Sequence, residues 1–156
     1  MMFRGILTTE KALKAVKQDS GMLQYVKDQT EEIVLAVIQQ HSSGLRYARF
    51  QNETIALAAV TRNGNTLQYV KDQTEAISLA AVMEQGSSLQ YVKNQTEEIA
   101  LAAVAQDYES LKYVKDQTED VVTKAVSYSC YALQYVRDYA MFVKVAGKFD
   151  IQIEEE

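Results

Sequence analysis

The sequence predicts an all-α fold: a solenoid of about seven 22-residue two-helix repeats with degenerate capping ends. Leu stands at 23, 45, 67, 89, 111 and 133, a 22-residue step each time, and Tyr follows two positions later at 25, 47, 69, 91, 113 and 135. A fixed period of this size marks a stacked array in which each unit covers only its neighbours. Each unit also carries a run of helix formers closed by small polar residues, as in Ala76-Ile77-Ser78-Leu79-Ala80-Ala81-Val82 followed by Gln85-Gly86-Ser87-Ser88. Proline is absent from all 156 residues, so the short turns fall to Gly, Ser and Asn.

Residues 1–22 form a degenerate first half unit. Thr8-Thr9-Glu10-Lys11-Ala12-Leu13-Lys14-Ala15-Val16 is in register with the later helices, and Met1, Met2, Phe3, Ile6 and Leu7 are placed to close the open end. Residues 23–138 are the regular repeats. In the unit from Asp72, the segment Asp72-Gln73-Thr74-Glu75 offers a capping residue with a Glu three positions on. That predicts a helix of about 11 residues starting at Asp72, a tight turn, and a second helix of about 7 over Leu89-Gln90-Tyr91-Val92-Lys93. Ile, Leu, Ala and Val crowd the longer helix on more than one side, which predicts enclosure by its partner and by adjacent units. The pairs Ala58-Ala59, Ala80-Ala81 and Ala102-Ala103 let helix axes approach closely.

The unit from Gly44 to Arg62 departs most from the rest. It reads Arg46-Tyr47-Ala48-Arg49-Phe50 where others have Gln-Tyr-Val-Lys-Asp, putting Arg46 and Arg49 three apart on one helical face and Phe50 in place of a polar cap. Residues 139–156 form the C-terminal cap and acidic tail. Met141, Phe142, Val143, Val145 and Phe149 finish a last helix, Ile151-Gln152-Ile153 alternates like a short strand, and Glu154 to Glu156 is a solvated tail. A leucine-rich repeat of similar period is excluded, because the sixth step is Asp28, Asp72, Asn94, Asp116 or Asp138 and no β-branched run follows.

Seven units account for the length, so residues 1–156 read as one domain. Sixteen basic and 21 acidic side chains give a net charge of −5, which does not suit a phosphate-neutralising surface. No apolar run approaches the ~20 residues needed to cross a bilayer, and the N-terminal apolar stretch is too short for a secretory signal. Cys130 is the only cysteine, so no intrachain disulfide forms. Cytoplasmic localisation is expected.

The core Ala-Ala-Val, a turn, then Leu67-Gln68-Tyr69-Val70-Lys71-Asp72-Gln73-Thr74-Glu75, with counterparts at 23–31, 89–97 and 111–119, resembles a helical repeat family catalogued as domain of unknown function 4116. The resemblance covers residues 11–138. The family occurs in phage, giant-virus and bacterial proteins, and it implies a repeat scaffold, a phage or mobile-element origin and no catalytic residues. Turns such as Gln106-Asp107-Tyr108-Glu109-Ser110 carry less Gly than the family pattern.

Catalysis needs a nucleophile, base or metal set gathered in one site. His41 is the only histidine and falls in a turn, as does Cys130, so no metal site and no cofactor is expected. Glu31, Glu53, Glu75, Glu97 and Glu119 sit in first helical turns, where they offset the helix dipole. The chain reads as no enzyme. Lys27, Arg49, Lys71, Lys93, Lys115 and Arg137 form a ladder beside the tyrosines. The expectation is that Tyr packs between units and Lys pairs with a nearby acid; a single-stranded nucleic-acid track is the alternative.

Specificity must come from positions that differ between units, and these cluster in the turn after the longer helix. The candidate partner-binding residues are Arg46, Arg49, Phe50, Arg62, Met83, Tyr108, Tyr128 and Tyr131, types favoured at protein interfaces. The expected partner is another protein, with the chain acting as a phage or mobile-element inhibitor of a host protein. A self-assembling protein, dimeric through its apolar ends, is a third reading.

Overall fold

Six successive repeats fold as one α-helix followed by one short 3-10 helix, a seventh α-helix follows them, and the computed structural model describes residues 9–152 of the array. The α-helices are α1 (Thr9–Gln18), α2 (Glu31–Gln40), α3 (Glu53–Val60), α4 (Glu75–Glu84), α5 (Glu97–Gln106), α6 (Glu119–Tyr128) and α7 (Tyr139–Lys148). Between them lie the 3-10 helices η1 (Ser20–Tyr25), η2 (Ser42–Tyr47), η3 (Gly64–Tyr69), η4 (Gly86–Tyr91), η5 (Tyr108–Tyr113) and η6 (Cys130–Tyr135). Each α-helix packs on the next α-helix and each 3-10 helix on the next 3-10 helix, giving two layers. The described residues contain no strand. The all-α repeat architecture expected from the 22-residue period is the one found.

The second, shorter helix expected in each unit is present as a six-residue 3-10 helix, which in η4 ends at Tyr91, before Val92 and Lys93. A 3-10 helix has three residues per turn, so side chains three apart share a face. Gly64, Leu67 and Val70 are all buried in η3 and its cap, and Gly86, Leu89 and Val92 repeat this in η4. Length gives the physical reason. At 2.0 Å per residue six residues span ~12 Å, close to the ~15 Å of a ten-residue α-helix at 1.5 Å, whereas six α-helical residues would span only ~9 Å. The extended 3-10 form lets a short segment return alongside the whole α-helix. Short polar side chains start it: Asp19, Asn63, Asp107 and Ser129 each accept the backbone N–H two residues on.

The α-helices begin three residues later than Asp72 implies. Thr30, Thr74, Thr96 and Thr118 are the caps, each accepting the N–H three residues on, as from Ile77 to Thr74 at 3.3 Å. Asp72 lies outside the helix and is exposed. In the divergent unit Asn52 caps α3 by accepting from Ile55 at 2.9 Å, so Phe50 replaces no cap.

The core is one continuous column of side chains. Leu23, Leu45, Leu67, Leu89 and Leu111 are wholly buried, as are Val34, Ala59, Val82, Ala103 and Val122. Of each alanine pair only the second is buried. Ala58, Ala80 and Ala102 are half-buried on the outer side of the α layer, beside half-buried Leu57, Leu79 and Leu101. Each internal α-helix is enclosed, as expected, by its partner 3-10 helix and by the units before and after it, as α4 is by η4, η3, α3 and α5.

The C-terminal helix is reset. The register predicts a start at 119 + 22 = 141, yet α7 starts at Tyr139, capped by Asp138 accepting from Met141 at 2.7 Å. Two residues of the linker are missing from this unit, so the helix follows its cap directly. Lys144 and Lys148 both bind Glu119, tying α7 to α6. Phe149 ends α7 rather than belonging to it, and Asp150 follows in the left-handed region at φ 54°. The Ile151 N–H donates to the Ala146 carbonyl (3.1 Å), so Ile151 and Gln152 close the helix and start no strand. The expected closing residues Met1, Met2, Phe3, Ile6 and Leu7, together with Ile153 and the acidic tail, lie outside the described residues. No described helix is long and apolar enough to cross a membrane.

Candidate functional site

The array has two edges, one formed by the η→α linkers and one by the α→η turns. The η→α edge is occupied by the stack itself. Gln73 Nε2 donates to the carbonyls of Leu67 (3.2 Å) and Tyr91 (3.0 Å), and its Oε1 accepts the Lys93 N–H (3.0 Å). Gln29, Gln95 and Gln117 make the same three bonds, and Gln51 makes the two that cross between units. Basic residues add a second tie. Lys71 Nζ donates to the Arg49 carbonyl (2.6 Å), Lys93 to that of Lys71 (2.7 Å), Lys115 to that of Lys93 (2.9 Å) and Arg137 to that of Lys115 (2.9 Å). The expected pairing of these cations with acids is thus replaced by pairing with main-chain oxygens one unit back. The acidic ladder is also tied: the Thr96 and Thr118 hydroxyls donate to Glu75 (3.2 Å) and Glu97 (2.6 Å).

The α→η edge differs from unit to unit. At Gly64 a Cβ would stand 2.3 Å from the Ala81 carbonyl oxygen, and at Gly86 2.6 Å from that of Ala103. These glycines allow each 3-10 helix to press against the end of the next α-helix. Tyr108 and Cys130 take the same position in the following units, and η5 packs less fully on α6 than η4 does on α5. A shallow depression opens there, lined by Gln85, Ser87, Gln106, Asp107, Tyr108 and Tyr128. The Gln106 Oε1 accepts the Gly86 N–H (2.6 Å) and the Asp107 Oδ1 accepts that of Glu109 (3.0 Å), fixing both side chains at the rim. Lys124 Nζ lies 5.2 Å from the Tyr128 ring centroid. Lys112 sits over the Tyr113 and Tyr135 rings and bonds Glu109 at 3.1 Å, a contact that raises its pKa.

The structure divides the eight candidate residues. Tyr108 and Tyr128 share the depression. Met83 (68% exposed) lies in the last turn of α4, Arg62 follows α3 on the same edge, and Tyr131 (70% exposed) is the second residue of η6. Arg46 lies on η2 with its guanidinium 4.5 Å over the Tyr47 ring and a 2.6 Å bond to that hydroxyl. Arg49 and Phe50 are on the opposite edge. η2 ends at Tyr47, so Arg46 and Arg49 do not share a helical face, and Arg49 reaches back to the Gln24 carbonyl at 2.8 Å. The glutamine clip is the residue pattern not singled out from the sequence. Its signal was Gln51, retained where both flanking residues change to Phe50 and Asn52.

His41 is an exposed residue between α2 and η2, whereas Cys130, expected in a turn, is the exposed first residue of η6 in a different unit. Among the described residues no three His, Cys, Asp or Glu side chains gather as a metal site would require. No family model, curated protein or solved structure matches the chain. The resemblance to domain of unknown function 4116 rests on the repeated residues alone.

Proposed function

We propose that this chain is a non-catalytic repeat scaffold that binds another protein through its α→η edge. The observation that carries this is the contrast between the two edges. One is a continuous hydrogen-bonded seam repeated from Gln29 to Gln117, while the other varies, presents Met83, Tyr128 and Tyr131 to solvent and holds a depression lined by Tyr108 and Tyr128. Aromatic residues and Met with a polar rim are the composition of a protein-binding patch. The resemblance to a phage and mobile-element repeat family makes a host protein the fitting partner and inhibition by surface occupation the fitting action. A nucleic-acid track along the basic ladder is less well supported, because Lys71, Lys93, Lys115 and Arg137 direct their charged groups to the main chain.

Affinity capture from a bacterial lysate tests the reading. The intact chain should retain a stoichiometric host protein, and the Tyr108→Ala/Tyr128→Ala variant should release it with its circular dichroism unchanged. A retained protein that the variant still holds removes this edge from the reading.

A further inference from the structure

The depression on the α→η edge has a chemical character beyond its aromatic rim. It measures about 500 Å3, within the range of small-ligand pockets. Asp107 lines it together with Tyr108, Tyr128, Gln85 and Gln106. This aspartate starts η5, where its Oδ1 accepts the Glu109 N–H. That task needs only an oxygen: Asn63 performs it in η3 and Ser129 in η6. The negative charge of Asp107 is therefore surplus to the fold. Among the described residues no cation pairs with it, and its Oδ2 accepts no hydrogen bond.

The neighbouring 3-10 layer shows what two tyrosines and a carboxylate hold together. The Lys112 ammonium lies 5.3 Å from the Tyr113 ring centroid, 5.5 Å from that of Tyr135 and 3.1 Å from a Glu109 carboxylate oxygen. An aromatic face attracts a cation through its quadrupole, and the carboxylate supplies the counter-charge. The depression offers the same three groups, with no lysine or arginine among its lining residues. Lys124 stands outside that lining, 5.2 Å from the Tyr128 ring centroid, so this ring already accepts a cation. An anionic group would meet the Asp107 carboxylate, which rules against a phosphate or an acidic peptide.

We propose that the depression is a receptor for a cationic side chain, an arginine of the bound protein, with its guanidinium against the Tyr108 and Tyr128 rings and its N–H groups donating to Asp107. This rests on the α→η edge as the binding surface and adds the chemistry that the edge recognises. Arginine suits the site better than lysine, because its planar group stacks on aromatic faces while its N–H donors stay available to a carboxylate.

NMR titration of the full chain tests the proposal, with N-acetyl-arginine amide as the probe. N-acetyl-citrulline amide, of nearly the same shape but uncharged, is the control. The arginine probe should shift the amide resonances of Gln106, Asp107, Tyr108 and Tyr128, and the citrulline probe should bind at least about fivefold more weakly. Asp107→Asn should weaken arginine binding by a similar factor with unchanged circular dichroism, because asparagine keeps the cap as Asn63 does in η3. Equal binding of the two probes overturns the proposal, as does an Asp107→Asn variant that binds arginine as the parent does. So does the absence of shifts at about 50 mM probe, well above the ~1 mM dissociation constant of a weak contact. Affinity capture separates this outcome from the broader reading. A host protein released by Tyr108→Ala/Tyr128→Ala but not by Asp107→Asn overturns the arginine and keeps the edge, whereas release by neither overturns both.

Discussion

The side-chain amide of Gln73 reaches the carbonyl of Tyr91, 18 residues further along the chain, at 3.0 Å. In doing so it joins the linker of one unit to the end of the next unit's 3-10 helix. The 3-10 helix leaves its last carbonyls without intrahelical donors, and the glutamine supplies the missing donor from outside. It also accepts the Lys93 N–H. One half-buried side chain thus satisfies three main-chain groups in two units. Replacing Gln95, which makes the same three bonds, by Ala should destabilise the array by ~2–4 kcal/mol, since each bond contributes ~1 kcal/mol and the orphaned groups add desolvation cost. Urea denaturation of Gln95→Ala beside Gln90→Ala checks this. Gln90 makes only an exposed bond to the Ser87 carbonyl within its own helix, so that variant should lose well under ~1 kcal/mol.

The architecture was readable because the period is a covalent fact, whereas the second helix type depends on matched lengths. Leu89 and Val92 at a three-residue spacing suit a single turn of either helix. Only the requirement that six residues return beside ten selects the 3-10 form. Asp72 was misleading for a related reason: Asp and Thr are both capping types, and the 3-10 end at Tyr69 and Val70 pushes the true cap on to Thr74. The turn edge was readable as variation among units. The depression on it was not, because it depends on Tyr108 standing where Gly64 and Gly86 press against the next helix.

Glycine substitutions should separate contact from conformation. No described glycine has positive φ, so backbone strain does not decide the outcome. A Cβ at Gly86 would stand 2.5 Å from the Ser110 Oγ and 2.6 Å from the Ala103 oxygen, while one at Gly147 meets nothing within 4 Å. Gly86→Ala should therefore cost ~1–3 kcal/mol through overpacking. Gly147→Ala in α7 should instead stabilise the protein by ~0.4–1 kcal/mol by restricting the unfolded chain. Thermal unfolding of the two variants should move in opposite directions.

The C-terminal helix should be sensitive to acid. Bonds from Lys144 and Lys148 lower the pKa of Glu119 from its ordinary 4.5 to about 2. A carboxylate with a depressed folded-state pKa binds protons more readily when unfolded, so its contribution is present above pH 4.5 and is lost as pH falls towards 2. Glu119→Gln should thus reduce α7 protection in hydrogen exchange at neutral pH, and its difference from the parent should close by about pH 2. High salt should shrink the same difference, because the ion pairs are partly exposed.

Cap placement predicts a final contrast. Thr96 accepts the Ile99 N–H at 3.3 Å and donates its hydroxyl to Glu75, the first residue of the preceding α-helix. It therefore caps its own helix and links two units. Asp72 holds the position where a simple capping box would put the cap, yet it is exposed and outside α4. Thr96→Ala should cost ~1–2 kcal/mol, in the range of a lost N-cap. Asp72→Ala should stay within ~0.5 kcal/mol, as expected of a surface change away from any such feature. Equal losses at both positions, measured by chemical denaturation, would show that the helix starts at Asp72 after all. Thr96→Ser should keep most of the stability lost in Thr96→Ala, because the hydroxyl makes both bonds and the methyl group neither.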